Sequence, residues 1–171
     1  MDLLILNYIN ENLRSPALDF AMKFFTYIGE YGTIWIIIAL SLLFFKQYRK
    51  YGIIMLISLT LCLLLGEFVL KNLISRARPF YIDDDIKLII SPPGGYSFPS
   101  GHSASSFAGA RVLYKAKKKI GIIAYIVASL IAISRVYLYV HYPSDVLAGA
   151  LIGTLISSII LYLYNKKFIK L

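Results

Sequence analysis

One cysteine and two histidines are all that this chain of 171 residues offers to disulfide or soft-metal chemistry. Cys62 lies inside an apolar run, so neither a disulfide nor a cysteine metal cluster can form within one chain. His102 and His141 sit in no His-Glu-x-x-His pattern, and two histidines alone make a weak metal site. Acidic residues are scarce as well, with 9 Asp and Glu against 18 Lys and Arg and a net charge of +9. In a soluble protein that imbalance would point to nucleic acid. Here the basic residues form short clusters between apolar runs, which is the pattern of membrane topology, and no nucleic-acid partner is expected. Three of the few acids stand together as Asp83-Asp84-Asp85, which reads as a solvated loop rather than a cation site. Met1-Asp2-Leu3 lacks a basic n-region and an Ala-x-Ala-like cleavage site, so no removable signal peptide is expected. No repeat or low-complexity tract is evident.

Apolar residues are what the chain does have. They make up 58% of it, and mean hydropathy is +0.70. Residues 3–13 place Leu3, Leu4, Leu6, Ile9 and Leu13 against Asn7, Asn10, Glu11, Asn12 and Arg14 at helical spacing, so residues 1–15 read as a short interfacial helix. Residues 17–28 are apolar but carry Asp19 and Lys23, and suit either a short bundle-facing span or a second interfacial helix. Gly29-Glu30-Tyr31-Gly32 predicts a tight turn. Firm spans are predicted over 33–45, 51–70, 120–134 and 146–164, with a Ser-, Ala- and Gly-rich helix over 102–114 that can pack closely. Several spans carry about 15 uncharged residues, roughly 22 Å at 1.5 Å per residue and short of a core about 30 Å thick. Flanking Tyr, Lys and Arg can complete the length by snorkelling.

Basic clusters at 46–50, 115–119 and 166–170 fall on one side, the cytoplasm by the positive-inside rule. Loops 71–101 and 135–144 then share the other side. The expected fold is an all-α polytopic membrane bundle of about six helices in one domain, 1–171. If 17–28 only lies on the surface, five spans remain and the loops keep their side.

The chemistry gathers on the outer side. Both histidines are there, with Lys71, Arg76, Arg78, Arg135 and Asp145. Outer loops should be poor in arginine, so Arg76, Arg78 and Arg135 want a cause, and an anionic ligand supplies one. Lys71 offers a point charge and Arg78 a fork matched to phosphate oxygens, although both could be interfacial anchors. Glu67 precedes Lys71 by four residues, the favourable order for a helical ion pair; it either orients Lys71 or is a polar residue packed between helices. In Pro99-Ser100-Gly101-His102, Gly101 permits unusual backbone, the helix start presents free N–H groups, Ser100 adds a hydroxyl and His102 can hold a proton. The same residues could be no more than a capped helix start. Asp145 follows His141 by four residues around Pro143, so its carboxylate can fix the imidazole tautomer or simply cap the last helix. Tyr96, Tyr137, Tyr139 and Tyr142 lie near the proposed mouth, as headgroup contacts or as an interfacial aromatic belt, the belt being the default.

Lys71 with Arg78-Pro79, then Pro99-Ser100-Gly101-His102, then Ser134-Arg135, His141 and Asp145 together resemble the three-part signature of the type 2 phosphatidic acid phosphatase superfamily. Its members, the lipid phosphate phosphatases, have relatives among bacterial acid phosphatases, glucose-6-phosphatase and vanadium haloperoxidases. Identity, order and spacing match throughout, and the helix pattern is that of a small bacterial integral-membrane member. The resemblance implies that His141 attacks phosphorus, Asp145 orients His141, and His102 protonates the leaving oxygen and then activates water. It implies that Lys71, Arg78, Ser100, Gly101 and Arg135 bind phosphate oxygens, with no metal and no cofactor. The expected enzyme is a multi-pass protein of the cell membrane with its site facing outside. It would dephosphorylate undecaprenyl diphosphate, phosphatidylglycerophosphate or phosphatidate, with a slight lean to an isoprenyl diphosphate. A phosphotransferase using the same site is the alternative, and a channel or scaffold a distant one. Nothing in the sequence sets an oligomeric state.

Overall fold

Long apolar runs separated by short polar breaks become helices wherever the computed structural model describes the chain, over residues 1–82 and 86–166. The Asp83-Asp84-Asp85 run, Lys167 and Lys170 lie outside the described residues. The helices are α1 (Asp2–Asn12), α2 (Pro16–Ile28), α3 (Thr33–Leu43), α4 (Arg49–Leu63), α5 (Lys71–Ile74), α6 (Gly101–Ala116), α7 (Lys118–Tyr137) and α8 (Pro143–Asn165). Their starts have local causes. Ser15 caps α2 by accepting from Leu18 N–H, with Pro16 at the first helical position. Ser100 caps α6 by accepting from Ser103 N–H. Tyr142 and Asp145 form a capping box at α8, again with proline first.

α6 is the centre of the bundle, and α3, α4, α7 and α8 all pack on it. Its Ala104, Ala108, Gly109 and Ala110 are small enough to let the axes approach. A Cβ on Gly153 of α8 would sit 2.0 Å from the Ala104 carbonyl oxygen, and one on Gly109 would sit 2.5 Å from the Trp35 ring. Trp35 is fully buried, and its indole N–H donates to Ser106 Oγ at 3.0 Å, which satisfies its one polar atom.

The outside is apolar. Leu147, Leu151, Leu155 and Ile159 follow one another at four-residue spacing along α8, each more than half exposed. Such a stripe belongs in hydrocarbon rather than water. α7, α8 and the run from α4 through α5 are long and apolar enough to cross a bilayer, and α2 with α3 make a fourth if the bent pair is one span. The protein is a polytopic helical membrane protein, as its sequence predicts.

Three details differ from expectation. The turn at 29–32 is a bend of 43° and not a reversal. Tyr31 and Gly32 are both left-handed, at φ 51° and 69°, and this kink redirects the helix without folding it back. Residues 17–28 and 33–43 are thus joined at this bend. α7 and α8, at 20 and 23 residues, are longer than their apolar runs, because their end turns carry Arg135 and Asp145. The loop between them shrinks to residues 138–142. Finally, α1 does more than lie at an interface: Leu6 is fully buried, and α1 packs on α7 and α8.

Candidate active site

The loop between α7 and α8 sets the first part of the site. The Arg135 carbonyl accepts from both Val140 N–H and His141 N–H, each at 3.2 Å, and Tyr139 takes a left-handed φ of 61°. This tight turn carries His141 inward, to 2% exposure. Asp145 is fully buried one helical turn later. Its Oδ2 accepts from Tyr142 N–H at 3.0 Å and from Ser97 Oγ at 2.5 Å, and lies 3.6 Å from His141 Nδ1. Capping and imidazole contact, alternatives in the sequence, hold together in one carboxylate.

Arg78 supplies the other face. Its Nε donates to Gly95 O, its Nη2 to Gly94 O and its Nη1 to Val140 O, each at 2.9 Å. Nη1 also lies 3.2 Å from His141 Nε2. A guanidinium only donates, so Nε2 must carry a lone pair and the ring proton must sit on Nδ1, toward Asp145 and Ser97. Burial lowers the His141 pKa; the Asp145 carboxylate opposes this, and the Arg135 and Arg78 charges add to it. Burial and the Arg78 contact both favour the neutral ring, with its Nε2 lone pair turned toward the guanidinium.

The remaining predicted residues close the ring. A π-helical turn over Leu64–Leu70 precedes Lys71, and Glu67 in it meets Lys71 Nζ at 2.7 Å, the predicted ion pair. A Cβ on Gly101 would lie 3.1 Å from Glu67 Oε1, whereas Gly101 has no left-handed φ. The position is tight against the Glu67 carboxylate, and the glycine does not take the unusual backbone expected of it. Ser100 Oγ accepts from Ser103 N–H at 3.4 Å and from Ser103 Oγ at 3.1 Å, which leaves its own proton to donate. Ser100 N–H donates to Asp145 O at 3.1 Å and ties the start of α6 to α8. Arg135 Nη1 donates to Thr26 Oγ1. Arg135 Nε and His102 Nε2 are buried without a hydrogen-bond partner among the described residues. His102 Nε2 faces Glu30 Oε2 at 3.6 Å. All three sequence motifs thus meet at one end of the bundle. Among the described residues, no three of His, Cys, Asp and Glu gather as a metal site would require.

Some placements correct the sequence reading. Arg76 was expected to answer to an anionic ligand, but it is taken up by two carboxylates. Its Nη1 donates to Asp145 Oδ1 at 2.6 Å and its Nη2 to Asp2 Oδ2 at 2.8 Å. Burial works against the Asp2 carboxylate, but the Ser144 hydroxyl and Arg76 hold its pKa below the usual range. Three of the four tyrosines near the mouth are buried struts rather than an aromatic belt. Tyr137 OH donates to Asp19 at 2.7 Å, Tyr139 OH to Asn7 at 2.5 Å, and the Tyr142 ring lies 3.7 Å under the Arg76 guanidinium. Only Tyr96 is exposed.

Ser97, Thr26 and Glu30 escaped sequence reasoning, because no spacing links them to the motifs they touch. Ser97 is the most consequential. It is fully buried, with its hydroxyl on Asp145 and 3.4 Å from His141 Nδ1, and its N–H on Arg76 O at 2.8 Å. Ser97→Ala keeps the volume but removes a hydrogen bond to a charged group, worth roughly a 10- to 100-fold loss. That loss is expected in kcat with little change in KM, measured on one lipid phosphate with purified protein.

The chain is similar to known proteins in both sequence and fold. An undecaprenyl-diphosphatase of Sulfolobus acidocaldarius is 40% identical over 134 residues, which cover 77% of this chain and 65% of that relative. The crystal structure of a transmembrane PAP2-type phosphatidylglycerolphosphate phosphatase from Bacillus subtilis superposes with a TM-score of 0.79 at 30% identity, covering 99% of this chain and 86% of that one. Aquifex aeolicus LpxE gives a TM-score of 0.83 at 32% identity, with 94% of both chains covered. The sequence model of the PAP2 superfamily matches residues 47–169, a stretch that holds all three motifs of the buried ring. By motif, by fold and by relatives alike, the chain belongs to the PAP2 superfamily.

Proposed function

We propose that this chain is a lipid phosphate phosphatase, one membrane domain over 1–171, that works through a phosphohistidine on His141. The observation that carries this reading is the buried Arg78–His141–Asp145 line, which presents an Nε2 lone pair beside a guanidinium. The substrate phosphate binds among Arg78, Arg135, Lys71, Ser100 Oγ and the N–H groups at the start of α6. Nε2 attacks phosphorus; the P–N bond forms as the P–O bond to the lipid breaks. His102 gives its proton to the departing oxygen. It then takes a proton from water as that water attacks phosphorus, the P–N bond breaks, and inorganic phosphate leaves. Asp145 balances the charge that grows on the imidazole. Phosphoryl transfer asks mainly for positioning and charge stabilisation, which a rigid buried ring of donors supplies.

The substrate is a membrane lipid phosphate or diphosphate, reached from the bilayer at the extracytoplasmic face. The basic clusters 46–50 and 115–119 and the end of α8 lie at the helix ends opposite the site, in support of that orientation. An isoprenyl diphosphate is favoured by the likeness to the undecaprenyl-diphosphatase. The buried basic and acidic side chains, Lys71, Arg78, Arg135, His141 and Asp145, gather at one end of the bundle, which argues against a channel.

The test is phosphate release by purified protein, with chelator present, from prenyl diphosphates, phosphatidate, phosphatidylglycerophosphate and lipid A. Release from a prenyl diphosphate, unchanged by chelator, is expected. No release from any lipid would sink the reading. Phosphate recovered on an added lipid or glycan acceptor, in place of free phosphate, would make the enzyme a transferase.

A further inference from the structure

The chain from His141 to Asp145 does not end at Asp145. Asp145 Oδ1 takes Arg76 Nη1, and Arg76 Nη2 takes Asp2 Oδ2, which comes from the first turn of α1. Asp2 is itself anchored on α8, accepting from the Ser144 hydroxyl and from Ser144 N–H at 3.3 Å, and Arg76 Nη1 reaches Ser144 Oγ at 2.7 Å. The guanidinium stacks on Tyr142, which fixes its plane. One cation is thus shared by two carboxylates, one buried beside the imidazole and one at the start of α1. Resting on the phosphohistidine reading above, we infer that Arg76 and Asp2 are positioning residues that set the charge on Asp145, and through it the nucleophilic strength of His141.

The physical case is a charge balance. Arg78, from the segment after α5, and Arg135, from α7, both face His141 and oppose its protonation; Asp145, from α8, favours it. Ser97 Oγ and Tyr142 N–H also draw on Asp145 Oδ2. A full Arg76 charge on Oδ1 would leave Asp145 a poor acceptor for the imidazole proton. Asp2 neutralises part of that charge. Without Arg76, in turn, Asp145 would be a buried carboxylate with one oxygen unpaired. The pairing needs α1 to be docked, which gives the buried Leu6 and the Tyr139–Asn7 hydrogen bond a purpose in catalysis.

The two partners should therefore act in opposite directions. Asp2→Asn leaves Arg76 unopposed, lowers the basicity of His141, and moves the acid limb of kcat to lower pH by about half a unit, with about a threefold to tenfold lower plateau. Arg76→Ala removes the cation and moves the same limb to higher pH. Arg76→Lys, which keeps the charge but not the fork, should hold the limb near its wild-type position while losing turnover. The experiment is kcat against pH for wild type and the three variants on the best lipid of the panel, each first shown to elute as wild type in detergent. Opposite shifts support the inference. Shifts in one direction, or none, in proteins that still turn over would overturn it. If Arg76→Ala fails to fold, Asp2→Asn against Asp2→Glu decides: only the first should move the limb. An inactive wild type would instead be a failure of the phosphatase reading, so the two results are distinct.

Discussion

His141→Ala is expected to form no phosphoenzyme on any substrate, with lipid phosphate turnover lower by about 10,000-fold or more. The basis is geometric. Nε2 of His141 is the nitrogen whose lone pair is turned toward the Arg78 guanidinium, and Nδ1 is committed to Asp145 and Ser97. His102→Ala behaves differently. Its ring sits at the start of α6, with Nε2 3.6 Å from Glu30 Oε2 and without a hydrogen-bond partner among the described residues. Loss of a general acid is worth about 100- to 10,000-fold, and a leaving group that needs no proton should recover much of it. The check is rapid acid quench with radiolabelled lipid and with an aryl phosphate. His102→Ala should still accumulate label on the protein from the aryl phosphate, and His141→Ala should accumulate none. Equal loss on both substrates would mean that the two histidines do not divide the work in this way.

The second large effect is expected at Arg78. Four of its N–H groups are placed on Gly94 O, Gly95 O, Val140 O and His141 Nε2. The residue therefore shapes the loop and fixes the imidazole tautomer, and in the proposed mechanism its remaining N–H meets phosphate. Arg78→Ala leaves three loop carbonyls short of a donor and removes the charge facing the nucleophile, and about a 1,000-fold fall in kcat/KM is expected. Lysine should not rescue it, because one ammonium cannot span Gly94, Gly95 and Val140 while also meeting Nε2. Arg78→Lys turnover within tenfold of wild type would show that charge alone matters at this position. Lys71→Arg is the informative contrast. Among the described residues Lys71 pairs with Glu67 alone, and it presents a point charge, so the exchange should cost far less.

Composition and motif spacing alone set the class of this protein. Repeated apolar runs flanked by basic clusters suit helices in a bilayer, where a helix satisfies every backbone polar group within its own segment. The helix starts were legible too, because a cap acts on its own turn: Ser100, and Pro143 with Asp145, stand where they should. So were Glu67 with Lys71 and His141 with Asp145, pairs formed within one helical turn. What spacing could not carry was anything joining distant segments. Ser97, Thr26 and Glu30 touch motif residues 44 or more positions away or across the α2–α3 break, and no periodicity encodes such contacts. Arg76 stood out as an arginine on the wrong side, yet its partners, Asp2 and Asp145, lie at opposite ends of the chain. Gly101 looked like a backbone requirement, yet its φ is not left-handed and its close neighbour is the Glu67 carboxylate, visible only in the fold. The sequence determined which side chains the chemistry has. Tertiary structure decided their protonation, pairing and order, because charge and hydrogen bonding depend on distance in space and not along the chain.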